Sequence, residues 1–161
     1  MKKKAVIAAL TAALNRSLEV IEASARDAHA AATHEEAKPE NDKDTRALEA
    51  GYLAGAQRAR AAELKRALDA LAAMQPPDEA PEGPVRPLSL VTLHEESTGQ
   101  TQRVFLCPYG AGVTLEGPEG PIQVVTLKAP LGAALIDQSV DEEVQVELGG
   151  RRRVLTILSI A

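Results

Sequence analysis

The sequence predicts an α+β fold, in which an N-terminal antiparallel coiled-coil hairpin is joined to a C-terminal antiparallel β domain with one short helix. Apolar residues recur in steps of three and four over residues 4–74, which is helical spacing. Five prolines then fall within residues 75–87, and short alternating apolar runs follow. We therefore divide the chain into a hairpin (1–75), a linker (76–87) and a β domain (88–161).

The first helix begins near the N-terminus and shows one apolar stripe, formed by Ile7, Leu10, Leu14, Ser17, Ile21, Ser24 and Ala28. The basic start followed by an apolar run imitates a secretory signal. Arg16 and Glu19 interrupt that pattern, and no stretch reaches the ~20 apolar residues of a membrane-spanning helix. We therefore expect an amphipathic helix in a cytoplasmic protein that does not enter a membrane.

The second helix shows an apolar stripe in steps of three and four, formed by Leu48, Tyr52, Gly55, Ala59 and Ala62. Three leucines, Leu64, Leu68 and Leu71, mark its far end. We expect this stripe to face the first helix. Each arm of about 30 residues would be ~45 Å long, at 1.5 Å per residue.

The predicted bend between the two helices is strongly acidic. Pro39 favours a reversal near residues 36–44, because a helix usually stops before a proline. Six acids lie between Thr33 and Glu49: Glu35, Glu36, Glu40, Asp42, Asp44 and Glu49. One interpretation is a solvated helix end, whose acids favour the dipole of the second helix. The other is a working tip near residues 35–45, whose carboxylates share a Mg²⁺ ion with the cleft of another protein.

The second half of the chain reads as short strands. Alternation begins at Leu88, and further strands are expected at 103–106, 122–127, around Val144 and over the last residues of the chain. Gly149-Gly150 between the final two strands predicts a tight hairpin. Residues 130–136 break the β pattern and suit one short helix, with Pro130 in its first turn.

Composition and motifs argue against an independent active site. The net charge of −5 does not suggest a surface that wraps nucleic acid, and the single cysteine excludes an intramolecular disulfide. Cys107 is expected to be a small buried side chain and His94 a structural histidine, since their spacing supports no nucleophile–base pair. Arg151-Arg152-Arg153 is interpreted as a solvated sheet edge, with a phosphate contact as the alternative.

The run Val125-Thr-Leu-Lys-Ala-Pro-Leu-Gly-Ala-Ala-Leu-Ile136 resembles a run of the Gre-type transcript cleavage factors of bacterial RNA polymerase. That family shows a strand followed by Ser-Pro-Leu/Ile-Gly-x-Ala-Leu/Ile at the same place. The acidic turn, strand, glycine hairpin and final strand after Ile136 are similar too. The chain is therefore identified as a divergent member of this family.

The resemblance implies a C-terminal domain of FKBP-like fold that docks at the rim of the polymerase secondary channel. The docking residues would be Lys128, Ala129, Pro130 and Leu131. Ala129 departs from the family, which usually has serine there. The coiled coil would enter the channel, and its tip acids would help to bind Mg²⁺ and water for hydrolysis of backtracked RNA.

The tip also departs from the family pattern. Aligning the family's tyrosine with Tyr52 puts Thr45 and Leu48 at the family's two acid positions, while the acids Asp44 and Glu49 are their neighbours. The expected catalytic acids are Glu40, Asp42 and Asp44. The metal-binding set adds Glu36 to these three.

The principal hypothesis is an accessory factor, without enzyme activity of its own, that stimulates RNA cleavage by the polymerase. The alternative is a regulator that binds the same channel and inhibits or modulates transcription without cleavage. A peptidyl-prolyl isomerase is disfavoured, because Phe105 and Tyr109 are the only aromatics in this half. The partners expected are RNA polymerase and, through it, backtracked RNA, and the free protein is expected to be a monomer.

Overall fold

The computed structural model describes residues 3–33, 46–74 and 83–161. Three helices and six strands follow one another along the chain: α1 (Lys3–Thr33), α2 (Arg46–Ala73), β1 (Leu90–Glu95), β2 (Gln100–Leu106), β3 (Thr114–Leu115), β4 (Ile122–Val125), α3 (Pro130–Leu135), β5 (Glu143–Leu148) and β6 (Arg151–Ile160). This confirms the predicted α+β class. No helix in the described ranges has the length and apolar character needed to cross a lipid bilayer.

The chain divides into two compact units. One comprises residues 12–73, which hold most of α1 and all of α2. The other comprises residues 1–11 together with residues 74–161. The first turns of α1 thus group with the sheet, where the Leu10 side chain lies so close to Gly110 that a Cβ there would meet Leu10 Cδ1 at 2.6 Å.

In the helical unit, α1 and α2 run antiparallel. An ion pair of 2.7 Å joins Glu22 of α1 to Lys65 of α2. Further along α1, His29 lies across a shared cleft from Arg58, which is earlier in α2. Because the numbering rises in one helix as it falls in the other, the two helices form the predicted antiparallel pair.

The predicted apolar stripe of α2 was wrong. Tyr52 is 82% exposed, and Gly55, Ala59 and Ala62 are also exposed. The buried residues of α2 are instead Ala54, Ala61, Leu64 and Leu71, which again follow helical spacing. Alanines lie on every side of this helix, so the sequence is compatible with either of two apolar faces. The buried face is the one that carries the large side chains of Leu64 and Leu71.

The β unit contains one six-stranded sheet with the order β3-β4-β2-β1-β6-β5. Most neighbouring pairs are antiparallel, as predicted, but β2 and β4 are parallel. The parallel pair arises because the chain leaves β2, forms the short strand β3 and returns along β4 in its original direction. The hairpin between β5 and β6 is the predicted one, with Gly149 and Gly150 at φ angles of 59° and 72°.

The core of this unit lies between one face of the sheet and α3. It contains Val91, Leu93, Val104, Leu106, Val125, Leu131, Leu135, Val144, Val146, Leu155 and Ile157, together with Val85 from outside the strands. The Val85 amide donates to the Gln138 carbonyl at 2.7 Å, and the Asp137 amide donates to the Val85 carbonyl at 2.9 Å. Residues 83–87 therefore pack against the end of α3, while the predicted linker boundaries stay a prediction, since residues 75–82 are outside the described ranges.

The first predicted strand begins two residues later than expected. Leu88 has a φ of 68°, a left-handed conformation that interrupts an extended strand, so β1 starts at Leu90. On the face of the sheet opposite α3, Leu90 is paired with Phe105, and Phe105 with Val124. All three side chains are buried, so this part of the sheet is covered on both faces.

Candidate functional site

The predicted docking segment forms a tight turn that leads from β4 into α3. The Ala129 amide donates to the Thr126 carbonyl at 3.0 Å, which closes the turn. Pro130 follows as the first residue of the helix. Proline has no N–H, and the N–H of a first helical residue would have no partner within the helix, so no hydrogen bond is lost. Ala129 is extended, with φ −68° and ψ 149°, as the residue before a proline tends to be.

Gly132 makes this turn possible. A Cβ at this position would lie 2.1 Å from the Thr126 carbonyl oxygen and 3.2 Å from the Leu127 Cα. No real Cβ approaches a backbone oxygen so closely, so the turn and the first helical turn can pack together only over a glycine. The Pro-Leu-Gly sequence is thus a structural requirement of this loop.

The four predicted docking residues divide into two kinds. Lys128 and Pro130 are exposed. Leu131 is only 5% exposed and belongs to the core, and Ala129 is partly buried against that core. The exposed pair can therefore touch a partner, whereas Ala129 and Leu131 hold the loop in place. Ala129 also provides no side-chain cap for α3, a bond that a serine at this position could make.

A cleft beside α3 was missed in the sequence. It has a volume of about 480 Å³ and is lined by Val85, Arg86, Pro87, Leu127, Ala133, Ile136 and Asp137. Arg86 and Asp137 form an exposed ion pair of 3.8 Å on this cleft. None of its seven lining residues is aromatic, so it lacks the walls expected of a prolyl isomerase pocket. The lining comes from three separate segments, which is why no local pattern revealed it.

The predicted tip acids Glu36, Glu40, Asp42 and Asp44 lie outside the described residues. Their assignment to catalysis and to Mg²⁺ stays a prediction. Glu49, at the start of the described part of α2, is exposed and lies in the first turn of that helix. Among the residues that the structure describes, no group of three or more His, Cys, Asp or Glu could hold a metal ion.

Cys107 is not a nucleophile. Its side chain is fully buried, and burial raises the pKa of the thiol above its usual value, only partly opposed by a backbone hydrogen bond from Tyr109. A thiol that stays protonated is a poor nucleophile, so the expected structural role is confirmed.

β6 as a whole lies between β1 and β5, but its three arginines pair only with β5, because β1 pairs with β6 from Leu155 onward. On the β1 side, the start of β6 is therefore a local sheet edge, and Arg151 and Arg152 are exposed there as predicted. Arg152 is hydrogen bonded to Gln145 of β5. Arg153 is 3.6 Å from the buried carboxylate of Glu95 on β1. Two of the three guanidinium groups therefore link β6 to its two neighbours.

Comparison with known proteins gives one family match. The C-terminal domain model of the transcription elongation factors GreA and GreB matches residues 80–161, which is half of the chain and includes the α3 loop. No curated protein matches the chain significantly.

Comparison with solved structures gives matches of low sequence identity and low TM-score. GreA factor homolog 1 (Gfh1) of Thermus thermophilus is 18% identical over 95% of each chain, with a TM-score of 0.40. Gfh1 of Thermus aquaticus is 18% identical over 94% of each chain, with a TM-score of 0.41. A GreA/GreB factor of Nitrosomonas europaea is 23% identical over 61% of this chain and 78% of its own, with a TM-score of 0.40. These scores are too low to carry an argument about detail.

Proposed function

Because the chain belongs to the GreA/GreB family of transcription elongation factors, we propose that it binds bacterial RNA polymerase at the secondary channel and stimulates cleavage of backtracked RNA. The observation that carries this proposal is the family match over residues 80–161, which contains an intact Pro-Leu-Gly loop at the start of α3. The chain would act as an accessory factor to the polymerase and would not hold a complete active site of its own.

The β unit would supply the affinity for polymerase. Lys128 and Pro130 present a charge and a rigid apolar ring on the exposed side of the turn. Leu131 is anchored in the core, and Gly132 allows the backbone approach that fixes the turn. A loop whose shape is set before binding loses little conformational entropy on docking, which favours its use as an interface.

The acidic segment between α1 and α2 would supply the chemical contribution. Glu40, Asp42 and Asp44, with Glu36, offer the carboxylate oxygens that Mg²⁺ prefers. Mg²⁺ bound there would supply a charge that activates water and stabilises the transferred phosphoryl group. The role of this chain's carboxylates would be to hold and orient that charge, and they would need the polymerase to complete the site.

A second candidate is a regulator that occupies the channel and inhibits or modulates transcription without cleavage. The position of Glu49 favours it. This exposed acid lies one residue past Leu48, the position at which the family resemblance expects an acid. Successive helical residues point about 100° apart, so a shift of one position turns the carboxylate away from the expected direction.

A cleavage assay on stalled, backtracked polymerase complexes tests the acids. The Glu40→Ala/Asp42→Ala/Asp44→Ala variant should bind polymerase as the parent does and lose stimulation of cleavage. The matched control is Glu19→Ala/Asp27→Ala/Asp69→Ala, which removes the same charge from exposed positions on the arms and should cleave normally. Unchanged cleavage by the tip variant would remove these acids from the mechanism. Inhibition by the parent without shortened transcripts would favour the regulator.

A separate binding assay tests the docking loop. Lys128→Glu changes an exposed residue, so it should leave the sheet folded and weaken polymerase binding by about ten-fold, since charged interface contacts are worth ~1.5 kcal/mol. Arg151→Glu provides a charge-matched control, since Arg151 is an exposed cation of the same unit at the start of β6. Equal loss of binding in both variants would contradict docking through Lys128.

A further inference from the structure

A second cleft lies between the two helices of the helical unit. Its volume is about 440 Å³, and its lining residues are Glu22, Ala25, Arg26, His29, Arg58, Ala61, Ala62 and Lys65. The three alanines have no side-chain atoms beyond Cβ, so they leave a depression between the two helix backbones. The longer side chains of both helices surround this depression. The result is a concave site with charged walls and a small apolar floor.

The charge of this cleft is opposite to that of the chain. Arg26, Arg58 and Lys65 provide three cations against the single carboxylate of Glu22, which gives a formal +2 with histidine neutral, in a chain of net charge −5. Like charges brought together on adjacent helices repel each other, so such a cluster costs stability when no anion is bound. Repulsion of this kind is relieved when a ligand neutralises the cations.

Two of the cations are held in place. The Lys65 Nζ atom lies 2.7 Å from the Glu22 carboxylate. The hydrogen bond from Lys65, and then its charge, keep the pKa of Glu22 below its usual value. Desolvation opposes this shift, and the charge of Arg26 adds to it. Arg58 Nε donates to the Ala54 carbonyl at 3.2 Å. That bond anchors the guanidinium at its base, and the two terminal NH₂ groups carry four further donors.

The lining selects among anionic ligands. Proteins that bind single-stranded nucleic acid combine a basic groove with aromatic side chains on which bases stack. None of the eight lining residues is Phe, Tyr or Trp, and the imidazole of His29 is the one aromatic ring in the cleft. The cleft is also only as large as a small-molecule site, of the order of 300–1,000 Å³. A single ring and a small volume fit a compact ligand recognised chiefly by its phosphates better than a strand of stacked bases.

We propose that this cleft binds a compact polyphosphate, such as pyrophosphate or the phosphate chain of a nucleotide, through Arg26, Arg58 and Lys65. Glu22 orients Lys65 and limits the affinity by its own charge. The site is independent of the docking loop and of the acidic tip, and it needs no polymerase.

Isothermal titration of the free, full-length chain in low-salt, phosphate-free buffer tests the proposal. The probes are pyrophosphate, a nucleoside diphosphate, orthophosphate and a single-stranded RNA oligonucleotide. Pyrophosphate should bind saturably at one site per chain, and orthophosphate more weakly. Equal affinity for pyrophosphate and the nucleoside diphosphate would assign recognition to the phosphates alone, whereas tighter binding of the nucleotide would add a contact to the nucleoside; both results support the site.

Variants locate the binding. Arg26→Ala and Arg58→Ala should each weaken pyrophosphate binding about ten-fold, because a hydrogen bond between charged groups contributes ~1.5 kcal/mol or more. Glu22→Gln should strengthen it by roughly three-fold by removing a repulsive charge. Arg66→Ala is the control, since Arg66 makes the same type of bond, to the Ala62 carbonyl at 3.2 Å, and does not line the cleft.

Three results would overturn the proposal. The first is the lack of saturable pyrophosphate binding at millimolar concentration. The second is a loss of affinity in Arg66→Ala equal to that in Arg58→Ala, which would indicate general attraction to the helices. The third is RNA binding that grows with oligonucleotide length and is not displaced by pyrophosphate, which would assign the cleft to a strand. Helical circular dichroism shows whether each variant is folded, and none of these results bears on polymerase binding.

Discussion

The helical unit and the β unit differ in how tightly each position constrains its residue. In the turn before α3, a single methyl group on Gly132 would collide with the backbone of Thr126. In α2, a methyl group on Gly51 or Gly55 would meet nothing within 4 Å. The same residue type is thus required in one unit and merely tolerated in the other. A glycine is informative about structure only where the surrounding backbone leaves no room for a side chain.

The largest expected effect comes from Gly132→Ala. The added Cβ would overlap the Thr126 carbonyl oxygen, so the turn or α3 must move and the buried Leu131 with it. We expect a loss of about 3 kcal/mol in the free energy of unfolding of the β unit, at the upper end of overpacking costs. Urea unfolding followed by tyrosine fluorescence measures it, in a Tyr52→Phe background that leaves Tyr109 as the one tyrosine. An unchanged unfolding midpoint would show that the turn does not depend on this close approach.

The opposite sign is expected for Gly51→Ala/Gly55→Ala in α2. Both positions are exposed, and alanine is favoured over glycine in a helix by about 1 kcal/mol per residue. The helical unit should therefore gain up to ~2 kcal/mol, seen as a higher melting temperature in circular dichroism at 222 nm. Destabilisation by this double variant would mean that the exposed face of α2 is covered in solution, which would also bear on the expectation of a monomer.

The smallest effect should come from acidification. The folded-state pKa of Glu22 is lowered by Lys65, so the ion pair stabilises the helical unit at pH values above the ordinary glutamate pKa of 4.5. Its contribution is lost as the pH falls through the lowered folded pKa. Titration of the Glu22 carboxyl by NMR should show a midpoint below 4.5, and Lys65→Met should return it towards that value. A midpoint that does not respond to Lys65→Met would contradict the ion pair.

The sequence was most informative where backbone geometry restricts residue choice. The Gly149-Gly150 hairpin and the start of α3 at Pro130 were both located correctly from local chemistry, since left-handed turns and helix starts select particular residues. The buried face of α2 could not be identified in this way. Alanine is small enough to suit either a buried or an exposed position, so periodicity alone did not decide between Ala61 and Ala62.

The parallel pairing of β2 with β4 was missed for a different reason. Strand direction depends on the path of the intervening chain, here residues 107–121, and local alternation carries no information on that path. The same limit applies to the candidate sites. The α3 loop is contiguous and was found as a motif, whereas the cleft beside it joins Val85, Leu127 and Ile136 from three segments.

The pairing of β1 with β6 has a consequence for the order of events during synthesis. β1 lies inside the sheet, and its second neighbour is the last strand, with Val91 opposite Ile160 and the Leu90 amide bonded to the Ala161 carbonyl at 2.7 Å. The β1–β2 hairpin can form once Leu106 is made, but the other edge of β1 stays open until Leu155 to Ile160 have been translated, about 50 residues later. We expect the sheet to close late and slowly, as folds with distant contacts do, and to be most exposed to aggregation while the ribosome is still completing β6.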